Sequence, residues 1–240
     1  MSAPSEGERP SLLDVIVPGE TALIVIDMQR AFCDADGGQA KAGRDVGPQT
    51  AAVPVVRDVV RAVRPLGIPV IWVLQEHLGT EDRTGAARRI PSHVKKQRVP
   101  VAESWAVRNT RDAELVDLLQ PEVRPGDHIV HKHRMSCFYS TTLDAVLRIL
   151  QVRTLIVTGV VTYVCVESTV RDAYYRDLDV VVVSDGVGGS DAAFHDDTLR
   201  KIDRYFGMVV DSRTLIGGLE QVAAEAPRAA GAPVPWPSPA

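Results

Sequence analysis

The sequence predicts an α/β protein built on a doubly wound parallel sheet, and three observations carry that prediction. Apolar, β-rich runs alternate with segments of helical spacing along most of the chain, the pattern of repeated βαβ units. The runs are near-continuous Val, Ile and Leu, as in strands buried on both faces of a parallel sheet. The chain has 240 residues, 45% hydrophobic and 24% charged, enough for one sizeable core and ordinary for a soluble protein.

Taken in order, residues 1–18 read as a loose arm, 19–220 as the folded domain and 221–240 as an Ala/Pro-rich tail without regular structure. "TALIVID" (21–27) is the first strand. "VPVVRDVVRAVRPLG" (53–67) has helical spacing and runs into a glycine stop. "PVIWVLQ" (69–75) is the second strand, with Trp72 as a core residue. The span 76–126 is long and irregular apart from a helical piece at 111–119, and has the length of a lid, specificity loop or subunit contact. "HIVHK" (128–132) is the third strand, and "TTLDAVLRIL" (141–150) the next helix. "TLIVTGV" (154–160) leads into the helical segment 165–177. "DVVVVSD" (179–185), the helix 191–207 and "GMVVD" (207–211) complete the alternation.

The composition also excludes several function classes. A net charge of -4 lacks the basic footprint of a nucleic-acid binder. No apolar run reaches the ~18 residues that span a bilayer, and the polar N-terminus is unlike a signal peptide. Cys33, Cys137 and Cys165 cannot all pair within one chain, so a reducing cytoplasm is the simpler expectation. The glycine-rich "SDGVGGSD" lacks dinucleotide-binding spacing. "HIVHKHR" offers His131 and His133 on one strand face, but no third metal ligand at a recognisable spacing. A Cys–His arrangement using His133 competes with the one favoured below. The basic run 83–98 reads as a solvated face, with an anion-attracting entrance or a subunit contact as alternatives.

In a doubly wound sheet, ligands bind beyond the carboxyl ends of the strands. Asp27 ends the first strand, Lys132 ends the third and Cys165 follows the fourth. Each alone has an ordinary structural reading: a cap, a solvated cation, a small hydrophobe. Together at one sheet edge they make a nucleophilic site. A helix N-terminus and a nearby cation lower a thiol pKa. Asp27 can take the thiol proton while Lys132 holds the carboxylate and stabilises anions. Backbone N–H groups at the helix start can face a developing oxyanion. Cys137 and Cys33 are read as packing residues.

"ALIVIDMQRAF", "HKHRMSCFYSTTLD" and "TGVVTYVCVESTVRDA", in this order and spacing, resemble the isochorismatase-like cysteine hydrolase family over roughly residues 19–215. The resemblance implies a three-layer fold with a six-stranded parallel sheet and an Asp–Lys–Cys triad at Asp27, Lys132 and Cys165. It also implies a cis peptide between Val160 and Val161, and an oxyanion hole from the N–H groups of Val161 and Cys165. Retention of Cys165 separates the chain from members that cleave the vinyl ether of isochorismate. The Asp-x-His-x-x-His metal pattern of nicotinamidase-like members is missing, since "WVLQEHLGTED" holds only His77. No cofactor is implied. The remaining branch hydrolyses small ureido and carbamoyl compounds through a thioester, as homodimers or homotetramers. Gln29, Phe32, Arg134, Phe138, Tyr139, Thr162 and Tyr163 are the expected substrate-binding residues, with the planar fork of Arg134 suited to a carboxylate or carbonyl. Tyr163 stands where many members carry Asn, which with the 76–126 span opens a second reading: a hydrolase of a cyclic amide or lactam in a larger natural product. A catalytically silent binding module is the third.

Overall fold

The structure is a computed structural model, described here for residues 10–77 and 105–225. The basic run at 83–98 and the outer parts of both termini lie outside those residues.

The six strands are β1 (Thr21–Ile26), β2 (Val70–Gln75), β3 (His128–Lys132), β4 (Thr154–Val160), β5 (Asp179–Gly188) and β6 (Met208–Val210). They form one sheet in the order β3-β2-β1-β4-β5-β6, and every pairing is parallel. The order reverses between β1 and β4, and the crevice above such a switch point is where this architecture places ligands.

β1 shows why the sheet is buried on both faces. All six of its residues are buried. Leu23 and Val25 point to one apolar cluster, while Ala22, Ile24 and Ile26 point to the other. The first cluster is closed by helices α4 (Gly47–Val63) and α8 (Ser212–Glu225), the second by α5 (Leu143–Ile149), α6 (Glu167–Tyr174) and α7 (Ala192–Tyr205). In α4 the buried positions Ala52, Val53, Val56, Val59, Val60 and Val63 keep helical spacing. That helix starts six residues before the sequence suggested, because Pro48 rather than Pro54 occupies its first turn.

Three expectations fail here. The arm is not entirely loose: α1 (Leu12–Val15) closes with a capping box between Ser11 and Asp14, and Leu12 and Val15 pack against the first core cluster. The domain does not end at 220, because α8 continues to Glu225, into the expected tail. Leu215 and Leu219, buried in the first core cluster, hold the helix across the Gly217–Gly218 pair. Nor is 111–119 a helix. Only Arg111–Ala113 makes a short 3-10 turn, since Glu114 O and Val116 N bond to Arg30 N and Met28 O. Two short helices missed by the sequence reading, α2 (Arg30–Cys33) and α3 (Gly38–Lys41), follow β1. No helix among the described residues is long and apolar enough to cross a membrane.

Candidate active site

Three side chains that are far apart in sequence meet beyond the sheet's switch point. Asp27 turns the chain off β1 with φ 52°, a left-handed conformation that aspartate accepts better than most residues. Its N–H bonds to Val73 O at 2.9 Å. Lys132 ends β3, two strands away, a separation of roughly 10 Å at ordinary strand spacing. Only a long side chain closes that gap. Lys132 is fully buried, and its Nζ lies 2.8 Å from Asp27 Oδ2.

The ammonium also reaches Gln75 Oε1 at 2.8 Å, Arg134 O at 3.0 Å and Cys165 Sγ at 3.4 Å. Asp27 thus stands beside both the Lys132 ammonium and the Cys165 thiol, with hydrogen bonds from each favouring its ionised form. Cys165 sits in a π-helical turn, Thr162–Val166, between β4 and α6. Gly159 lets the two strands meet beside it. At φ 114°, a Cβ there would stand 2.0 Å from Ile26 O. The Val160–Val161 peptide that follows is cis.

Burial sets the protonation balance. It pushes the Cys165 thiol well up, against the pull of Lys132. This reverses the lowered thiol expected from a helix start and a cation, because the sulfur is more than nine-tenths buried and desolvation outweighs the ammonium. Burial likewise raises the Asp27 carboxyl, against Lys132. For Lys132, burial pulls down, but the neighbouring negative charge, that of Asp27 foremost, pulls harder and the net direction is up. The resting arrangement is a thiol beside the Asp27–Lys132 pair.

A cavity of about 780 Å³ lies over this cluster, and Cys165, Val161 and Gln75 line it. Residues 21–214 match the isochorismatase domain family. The chain belongs to the isochorismatase family. It is 37% identical over 202 residues to ureidoacrylate amidohydrolase RutB of Methylorubrum extorquens, covering 80% of this chain and 79% of that protein. Among solved structures, a cysteine hydrolase from Pseudomonas syringae superposes with a TM-score of 0.72 at 29% identity, covering 86% of this chain and 95% of that one. N-carbamoylsarcosine amidase from Thermoplasma acidophilum gives 0.59 at 26% identity, covering 80% and 96%.

Within the family frame, the structure sorts the expected binding residues. Phe32, Arg134 and Tyr139 line the cavity with Val161 and Cys165. Gln29 does not: its Nε2 donates to Gln75 O and Ala113 O, and its Oε1 accepts from Gln75 N, so it braces the end of β2. Phe138 is buried in the second core cluster with the Arg176 guanidinium 4.3 Å over its ring. Thr162 is buried and paired with His195 Nδ1 at 2.9 Å. Tyr163 turns toward the β5–α7 connection, where its hydroxyl accepts from Asp191 N and meets Ser190 Oγ. Tyr163 is thus not among the residues that line the cavity.

Cys137 is fully buried, and burial pushes its thiol up to about 12. Cys33 is fully buried within the first core cluster. His133 lines the same cavity, and its Nδ1 meets Glu76 O at 2.7 Å. Among the described residues, no group of three or more His, Cys, Asp or Glu side chains is placed to hold a metal. Two site features escaped the sequence reading. Gln75 ends β2 as the polar residue of "VIWVLQ", so the strand-end rule that found Asp27 and Lys132 could have found it. Arg44 and Trp105 also line the cavity, but they come from loops with no distinguishing pattern.

Proposed function

We propose that the chain is a cysteine-dependent amidohydrolase that cleaves a C–N bond of a small ureido, carbamoyl or related amide through a thioester. The observation that carries this reading is the convergence of Asp27, Lys132 and Cys165 beneath a cavity that Cys165 lines. The names of the relatives, a ureidoacrylate amidohydrolase and an N-carbamoylsarcosine amidase, point to the same bond type.

With the substrate carbonyl over Sγ, Asp27 accepts the thiol proton as the C–S bond forms. Lys132 stabilises the thiolate and the carboxylate in turn. The N–H groups of Val161 and Cys165 take the developing oxyanion. Collapse breaks the C–N bond, and the proton held by Asp27 passes to the departing ammonia or amine. Water, deprotonated by Asp27, then attacks the thioester, and the proton returns to Sγ as the acid leaves. A carbamate product decomposes to carbon dioxide and an amine. The raised Asp27 carboxyl suits a group that must both accept and return a proton. A cytoplasmic homodimer or homotetramer completes the proposal, on the family resemblance and the three free cysteines.

The cyclic-amide reading loses one of its supports, because Tyr163 faces away from the cavity. A silent binding module would leave a buried carboxyl–ammonium pair beside a thiol without use. The test is ammonia release across linear ureido and carbamoyl compounds, with cyclic amides alongside. Turnover of linear ureides is expected, with loss of several orders of magnitude in Cys165→Ala. Full turnover by that variant would overturn the reading.

A further inference from the structure

We propose that the start of helix α7 buttresses the oxyanion hole, with His195 and Tyr163 as the positioning residues that tie the two together. The inference rests on the amidohydrolase reading and deepens it, because it assigns what fixes the N–H groups of Val161 and Cys165.

The turn that carries Cys165 is unusual. Single π-helical turns are rare and concentrate at functional sites. Here, in Thr162–Val166, two of the turn's own bonds converge on one acceptor: the Val161 carbonyl takes Val164 N at 3.0 Å and Val166 N at 3.2 Å. The residue that offers an N–H to the oxyanion is thus also the one on which the turn closes.

α7 grips this turn from both ends. Thr162 is fully buried, and its Oγ1 lies 2.9 Å from Nδ1 of His195 in the first turn of the helix. The Tyr163 hydroxyl accepts from Asp191 N at 3.2 Å and meets Ser190 Oγ at 3.1 Å. Its ring packs against Phe194 with centroids 5.5 Å apart. Asp191 in turn caps α7 by accepting from Phe194 N at 3.0 Å. Beyond the turn, Glu167 accepts from Thr198 Oγ1 at 3.1 Å and lies 3.5 Å from Lys201 Nζ. The connection into α7 runs just as close: a Cβ at Gly189 would stand 2.6 Å from Tyr163 Cε1 and 3.1 Å from Val161 Cγ1. Ile202, buried in the second core cluster, seats the helix. Neither His195 nor Tyr163 lines the cavity, so both act on the reaction through the turn. Small displacements there matter, since a shift of about 1 Å at a reacting centre can cost on the order of 100-fold in rate.

The test separates attack that builds an oxyanion from attack that does not. Acylation of Cys165 by p-nitrophenyl acetate passes through a tetrahedral oxyanion before p-nitrophenolate leaves. Alkylation by iodoacetamide displaces iodide at a saturated carbon and needs no such hole. Both rates are followed by mass on Cys165 in the wild type and in four single variants. Thr162→Val and His195→Leu should each slow acylation about 10-fold, the equivalent of one hydrogen bond, and leave alkylation unchanged. Tyr163→Phe, which keeps the ring, should slow acylation about 3- to 10-fold. His195→Asn, whose amide can reach the Nδ1 position, should recover most of the rate. Combining Thr162→Val with His195→Leu should be no slower than either alone, because both remove the same bond. Unchanged acylation in His195→Leu or Tyr163→Phe overturns the role given to that residue. Equal slowing of both reactions would mean that the contacts hold the sulfur or the fold, and overturns the inference. So does a wild type that the ester fails to acylate. Ammonia release from linear ureides scores the amidohydrolase reading separately: the expected acylation pattern without ureide turnover would sustain the inference while that reading falls.

Discussion

Replacing Lys132 with methionine isolates the electrostatics of the site. Methionine fills much of the same buried volume, so the main loss is the ammonium 2.8 Å from Asp27 Oδ2. Both side chains are at most 1% exposed. At an effective dielectric of ~20, two unit charges at that distance attract by about 6 kcal/mol. The carboxylate can escape part of that loss by taking up a proton, and breaking a buried pair from one side costs about 3–5 kcal/mol in practice. Typical domain stabilities of about 5–15 kcal/mol leave a folded variant to measure.

The cost should also depend on pH. Burial already raises the Asp27 carboxyl, and without the ammonium it rises further. A carboxyl raised in the folded state binds more protons there than in the unfolded chain. Its penalty is absent below the unfolded pKa, grows as pH rises toward the folded pKa and is constant above it. Urea unfolding at pH 4 and pH 8 reads this directly: Lys132→Met should approach wild type at pH 4 and fall well below it at pH 8. Equal stability at both values would mean that the pair does not sit in a dry, low-dielectric site, and the reasoning about proton balance would fail with it.

Gln75→Leu removes the acceptor of one buried ammonium N–H, a loss of about 1–3 kcal/mol. As a positioning residue, Gln75 should show this in kcat, lowered about 10- to 100-fold, with KM little changed; a rise in KM alone would assign it to substrate binding instead. Gly159→Ala places a Cβ 2.0 Å from Ile26 O at φ 114° and should destabilise by more than about 3 kcal/mol. A denaturation midpoint equal to wild type would contradict the β1–β4 approach that sets the site.

Much of this architecture was legible in the sequence because local signals coincided with the tertiary answer. β1 and β4 are β-rich, mostly apolar runs buried along their whole length, and their ends mark Asp27 and the approach to Cys165. Legibility failed where one segment's backbone is satisfied by another. The middle of the 111–119 segment bonds to residues 28–30, through Glu114 O and Val116 N, between two short turns of its own, and helical spacing does not report that. Residue type suggested that Gln29, Phe138 and Tyr163 face a pocket, yet each is turned away by a partner distant in the chain. The thiol's upward shift was hidden for a related reason. A cation and a helix start can be read from sequence, but the depth of burial that outweighs them cannot.

Acid-quenched intact-mass analysis of the wild type, taken within the first turnovers on a linear ureido substrate, tests whether the buried sulfur becomes the acyl carrier. The account predicts a covalent acyl or carbamoyl adduct that peptide mapping places on Cys165 and that decays as acid is released. Sustained ammonia release from a protein whose Cys165 stays unmodified throughout would contradict it.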